Sequence, residues 1–298
     1  MTPSASPIPL LLLGSAAGLA LWSAGLNARD VSQFRTTVNT VAIYATVSDP
    51  AGRLVPDLTR DVFEVFDNGQ RVDIALFSSE RQPIIVAIML DMSGSMVGRF
   101  LKVRESTLWF VNALLPDDRA QIGSFGEEVA VSPLLTGDKK VLARVLTEEL
   151  WPLGATPLWN AADAAMTALA GQTGRRVVLM LTDGADSCSL PRCRKFGDVE
   201  KRAKREDFMF YAIAMDSRGI GTDLVSLTRE TGGGHFELKP DDNLTDTFAQ
   251  VAEELRHQYL IGFSPSTLDD KEHRLEVRLT RTGLVVRGRT SYHAGSGQ

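Results

Sequence analysis

Three short stretches, far apart in the chain, carry hydroxyl and carboxylate oxygens that could share one hard cation. In Asp91-Met92-Ser93-Gly94-Ser95, the donors Asp91, Ser93 and Ser95 fall at alternate positions, and Gly94 lets the backbone turn tightly between them. Gly154-Ala155-Thr156-Pro157-Leu158 adds one hydroxyl, followed by a proline suited to the first turn of a helix. Leu181-Thr182-Asp183-Gly184 adds a second carboxylate. Oxygen donors from three separate loops suit octahedral Mg2+, with Mn2+ or Ca2+ as alternatives. The same residue types also cap helices and tie loops together, so the oxygens by themselves leave a purely structural role open.

Such a set needs a scaffold that ends several segments at one edge. Ile84 to Leu90 is a nearly continuous apolar run ending in Asp91, and Arg176 to Leu181 is a second that ends in Thr182-Asp183. Both read as parallel strands covered on two faces. Helical patterns at 99–115, 139–150, 157–170, 195–207, 222–231 and 244–256 alternate with further strands at 120–125, 128–133, 208–215 and 235–238. The alternation predicts an α/β domain over residues 83–256, a doubly wound and mostly parallel sheet with its ligands at the carboxyl ends of the strands.

Shorter strands flank it. Residues 37–48, 62–67 and 71–77 precede the domain, with an Asn68-Gly69 hairpin signal between the last two. Residues 258–263, 273–279 and 283–292 follow it. Three strands are few for a core of their own, so residues 37–80 and 257–293 are expected to build a single antiparallel β-sandwich-like module from both terminal regions.

The ordered pattern Asp-X-Ser-X-Ser, then Thr, then Asp resembles the metal-ion-dependent adhesion site of the von Willebrand factor type A domain family. The likeness covers roughly Pro83 to Phe248 and implies a Rossmann-like fold. It implies that Ser93, Ser95 and Thr156 ligate a metal directly, and that Asp91 and Asp183 do so directly or through water. It also implies a partner, because family members commonly complete the metal shell with a Glu or Asp from a protein ligand. The implied function is cation-dependent protein binding, in cell-envelope adhesion or assembly. Val62 to Gly69, Gln258 to Pro265 and the terminal strand pair resemble an exported bacterial subgroup related to acidobacterial A-domain proteins. Met92, Met96, Val97 and Leu158 are expected either to rim the site or to pack its loops.

The alternatives differ in class. A metal-stabilised envelope scaffold needs the same residues without bridging a partner. A hydrolase is disfavoured: no Gly-X-Ser-X-Gly surrounds Ser93 or Ser95, the four histidines read as structural or exposed, and no second metal or phosphate loop is evident, so no enzyme is expected. Gly232-Gly233-Gly234 lacks the Lys-Ser/Thr of a phosphate-binding loop and reads as a turn. The basic residues from Arg192 to Arg205 are interrupted by acids and read as a solvated helix laced with ion pairs.

With 298 residues, 44% of them hydrophobic, and 32 Lys and Arg against 37 Asp and Glu, the chain can bury a sizeable core. A net charge of −5 gives no ground for nucleic acid as a partner. The first 28 residues contain no charged side chain, and residues 8–26 are mostly apolar. Residues 1–30 therefore read as a signal peptide or an amino-terminal membrane anchor, placing the protein outside the cytoplasm as a periplasmic, envelope-associated or secreted one. Export would permit Cys188 and Cys193 to close a small disulfide loop; without it they are two thiols.

Overall fold

The computed structural model describes residues 40–148, 154–215, 221–239 and 242–295, so the amino-terminal segment and the last residues of the helix expected at 139–150 lie outside them. The chain enters through β1 (Val41–Ser48), β2 (Phe63–Asp67), β3 (Gln70–Val72) and β4 (Leu76–Ser78). Asn68 at φ 48° and Gly69 at φ 82° supply the two left-handed residues of a tight hairpin between β2 and β3. The single strand expected over 71–77 is instead two strands in different sheets. The corner forms because Ile74 turns into the core and the Ala75 N–H donates to the Gly262 carbonyl, 2.7 Å away.

The central elements are β5 (Ile84–Asp91), α1 (Phe100–Ala113), β6 (Arg119–Phe125), β7 (Val129–Val131), α2 (Lys139–Glu148), α3 (Leu158–Ala168), β8 (Arg175–Thr182), α4 (Phe196–Arg205), β9 (Phe208–Ala214), α5 (Thr222–Glu230), β10 (His235–Glu237) and α6 (Leu244–Arg256). They form a sheet in the order β10-β9-β8-β5-β6-β7, parallel except for β7. Helices α1, α2 and α6 pack on one face, and α3, α4 and α5 on the other. Two covered faces explain the unbroken apolar runs: all of β9 is buried, as are all but the second residues of β5 and β8. The chain therefore has the doubly wound α/β architecture expected for it.

The last strands are β11 (Tyr259–Phe263), β12 (Glu272–Leu279), β13 (Val285–Arg287) and β14 (Ser291–His293). They pair antiparallel with the first four to give the sheets β13-β1-β11-β4 and β14-β12-β2-β3. Each sheet draws strands from both ends of the chain, and Ile43, Val65, Ile261, Phe263, Leu275 and Tyr292 are among the side chains of their common core. The strand expected over 283–292 also divides between the sheets. Its corner includes Gly288, where a Cβ would sit 3.2 Å from the Ile43 side chain.

Polar ties join these sheets to the α/β layers. Buried Arg175 donates to the Gln82 carbonyl at 2.8 Å and to Gln258 Oε1 at 2.9 Å. Lys204 pairs with Glu272 at 3.0 Å, Arg287 with Glu254 and Arg289 with Asp207. Among the described residues, no helix is long and apolar enough to cross a membrane.

Candidate functional site

The parallel register of β5 and β8 sets Leu90 opposite Leu181, so both strands deliver their polar ends to one edge of the sheet. Asp91 is fully buried there. Its Oδ1 accepts from the Ser93 N–H at 2.9 Å and its Oδ2 from the Thr182 hydroxyl at 2.6 Å. Burial pushes the Asp91 carboxyl above the usual carboxylate range, the hydrogen bonds from Thr182 and Ser93 oppose that shift, and the Asp183 charge adds to it.

After Ser93 the chain makes a 3-10 turn over Gly94–Arg99. The turn brings Ser95 Oγ within 3.1 Å of Ser93 Oγ and aims it at Asp183, to whose Oδ1 it donates at 2.8 Å. Asp91, Ser93, Ser95 and Asp183 thus lie along one continuous path of hydrogen bonds, with Asp91 and Asp183 buried and Ser95 exposed.

Thr156 joins through the backbone. The Gly94 N–H donates to the Gly154 carbonyl at 3.1 Å, tying the first loop to the second. Gly154 takes φ +94° and passes so close to Glu127 that a Cβ would lie 2.4 Å from its backbone nitrogen. The Thr156 N–H donates to Ser187 Oγ at 3.0 Å, while the Ser187 N–H returns a bond to the Thr156 carbonyl at 2.9 Å. The third loop thereby clamps the second.

Sequence reasoning missed several of these supports. Thr182 was legible only as a strand end, and Ser187 carried no motif. Arg99 is the largest omission: its guanidinium donates to Asp183 Oδ2 at 2.8 Å. A basic residue just beyond the Asp-X-Ser-X-Ser stretch is the only signal in the sequence, and the 3-10 turn is what folds it back. The apolar expectation divides: Met92, Met96 and Leu158 are buried packing residues, whereas Val97 is 58% exposed and is joined by Leu101 at 61%.

Immediately after Ser187, Cys188 forms a disulfide with Cys193. Asn160 of α3 accepts the Arg194 N–H and donates to the Arg192 carbonyl, both at 2.8 Å, which pins that loop beside α3. Replacing both cysteines by serine is expected to lower stability by about 2 kcal/mol, the loop-closure value for so short a ring. Urea denaturation checks this, and an unchanged midpoint would mean that the Asn160 bonds alone order the loop.

The donor set suits a small hard ion. Oxygens about 2.1 Å from Mg2+ at right angles are about 3.0 Å apart, and the two spacings along the path, 3.1 and 2.8 Å, bracket that edge. Only two carboxylates take part; among the described residues, no group of three His, Cys, Asp or Glu side chains could hold a metal. A cation held there would therefore draw on the hydroxyls as well. Ser93 and Ser95 engage each other and Ser95 also engages Asp183, and that path includes no histidine to activate either as a nucleophile.

The von Willebrand factor type A domain family profile matches residues 86–185. No curated protein matches the chain. Among solved structures, a von Willebrand factor type A protein from Catenulispora acidiphila aligns with a TM-score of 0.51 at 12% identity, covering 85% of this chain and 74% of that one. Proximal thread matrix protein 1 from the mussel byssus gives 0.51 at 14% identity, over 64% of this chain and 51% of its own. The D319A mutant of the PilB minor pilin from Streptococcus sanguinis gives 0.50 at 14% identity, over 59% and 62%. Identities this low speak to the fold alone.

Proposed function

We propose, on the premise that this chain belongs through residues 86–185 to the von Willebrand factor type A domain family, that Asp91, Ser93, Ser95, Thr156 and Asp183 hold Mg2+. The loaded site receives a Glu or Asp side chain of a protein partner. The observation that carries this reading is the hydrogen-bonded path from Asp91 through Ser93 and Ser95 to Asp183, which gathers hard oxygens from two strand ends. A divalent ion there supplies an electrophilic centre for an incoming carboxylate. Asp91 and Asp183 offset its charge in a buried setting, and the neutral hydroxyls of Ser93, Ser95 and Thr156 leave part of that charge for the partner. Exposed Ser95 marks the side open to solvent, and Val97 and Leu101 offer apolar contact close by in sequence.

The module is non-catalytic in this reading and works outside the cytoplasm, in envelope adhesion or assembly. The Cys188–Cys193 disulfide and the apolar residues 8–26 support export. The scaffold alternative draws on the bonds from Gly94 to Gly154 and between Thr156 and Ser187, which already tie the three loops together.

Calorimetric titration of the metal-stripped full chain with Mg2+ tests the site. Saturable binding is expected, weakened at least about tenfold by Ser93→Ala and by Asp183→Ala while both variants stay folded. A folded parent that binds no Mg2+ would end the metal reading. Immobilised peptides bearing Glu or Asp, retained in Mg2+ and released by EDTA, would support the carboxylate step; retention that ignores EDTA would sink it.

A further inference from the structure

We infer that Arg99 is a resident counter-cation that competes with the divalent ion for Asp183 and thereby sets the affinity of the site. The inference rests on the metal reading above and goes further, to a residue outside the five-position pattern. The Asp183 side chain is only 2% exposed, and a carboxylate that far from water needs a compensating charge. In this structure Arg99 supplies it directly, 2.8 Å from Oδ2, while Ser95 occupies Oδ1.

The two donors differ in how they can yield. Ser95 can rotate its proton aside and present a lone pair, so it changes from donor to ligand without moving. Arg99 has no lone pair to offer and keeps its proton, so a divalent ion at Asp183 faces a fixed positive charge until the guanidinium leaves. A route out exists: the Arg99 side chain is 39% exposed, and the residue stands at the junction of the 3-10 turn and α1. Its withdrawal breaks one ion pair and no regular helix. Cation binding is therefore an exchange of arginine for metal. A monovalent ion brings no more charge than the guanidinium it displaces, so the exchange favours divalent ions.

The test uses the metal-stripped full chain as parent, Arg99→Gln and Arg99→Lys. Calorimetry gives the Kd for Mg2+, and thermal unfolding is followed without metal and in saturating Mg2+. Arg99→Gln is expected to bind Mg2+ about tenfold more tightly than the parent, within the usual range of coupling between two ligands. Its metal-free Tm should lie below that of the parent, and the gap should close in saturating Mg2+. Arg99→Lys, a charge without the planar fork, should fall between them. A Kd unchanged or raised in Arg99→Gln, or a Tm loss equal with and without Mg2+, would make Arg99 a merely structural ion-pair partner and overturn the inference alone. Absence of Mg2+ binding in all three proteins would overturn the metal reading, and this inference with it.

Discussion

Gly154→Ala is expected to destabilise the chain by about 2–6 kcal/mol and to weaken its response to cations at the same time. The backbone there sits at φ +94°, a conformation that L side chains rarely adopt, at a typical cost of about 1–3 kcal/mol. The added methyl would also meet the Glu127 nitrogen at 2.4 Å and its Cα at 2.5 Å. Both are main-chain atoms, so no rotamer change relieves the contact and the two loops must part, for about another 1–3 kcal/mol. Parting them acts on the site, because the Gly154 carbonyl receives the Gly94 N–H and Thr156 lies two residues on. Gly52→Ala is the control: it has φ +79° with nothing within 4 Å of the new Cβ, so it carries the conformational term alone. Urea denaturation of both variants, with Mg2+ titration of each, separates the terms. Equal midpoints would mean that the close approach to Glu127 does not hold the second loop in place.

The parallel sheet was readable because burial on two faces leaves a direct mark on composition. Strands β5 and β8 have to be apolar almost throughout, and the first polar residue after each apolar run marks its exit to the sheet edge. The same logic put Asp91 and Asp183 at the sheet edge, the first ending its run and the second one residue beyond Thr182. The β module was harder. Residues 71–77 keep an apolar pattern through their corner and residues 283–292 turn within a polar stretch at Gly288, and a pattern of alternation says which face a residue takes but not which sheet it joins. The changes of sheet depend on distant partners, the Gly262 carbonyl in one case and the Ile43 side chain in the other, and neither is encoded nearby. In the candidate site, the hydroxyl and carboxylate residues gathered at the sheet edge were legible by type and order. Those that hold them were not: Arg99 depends on the pitch of a 3-10 turn, and Ser187 on two backbone bonds. Side-chain chemistry can be read from a string of residues more readily than its support.

His273→Ala is expected to remove about 3 kcal/mol of stability, and the loss should depend on pH in a direction fixed by the geometry. The imidazole is 8% exposed and lies between two carboxylates, with Nδ1 2.9 Å from Asp67 Oδ1 and Nε2 3.1 Å from Asp269 Oδ1. The Tyr292 hydroxyl donates to the other oxygen of Asp67 at 2.8 Å, so β2, β12 and β14 meet at this cluster. An acceptor at each nitrogen favours the doubly protonated form of the ring. Burial alone would push His273 down, but the hydrogen bonds and charges of Asp67 and Asp269 outweigh it and hold the group above its ordinary value. A cation whose pKa is raised by folding contributes fully below the unfolded value, about 6.5, and loses that contribution as pH rises through the folded value. The stability gap between parent and His273→Ala should therefore be widest near about pH 6 and narrow toward about pH 9. Tyr292→Phe removes a neutral donor from the same carboxylate and is expected to cost about 1 kcal/mol. Burial, followed by the bond to Asp67, pushes the phenol above its ordinary range, so that loss should be nearly constant over the same interval. Urea midpoints for the three proteins at both ends of the interval decide the matter: a His273→Ala gap that widens with pH would mean that the fold holds the imidazole neutral.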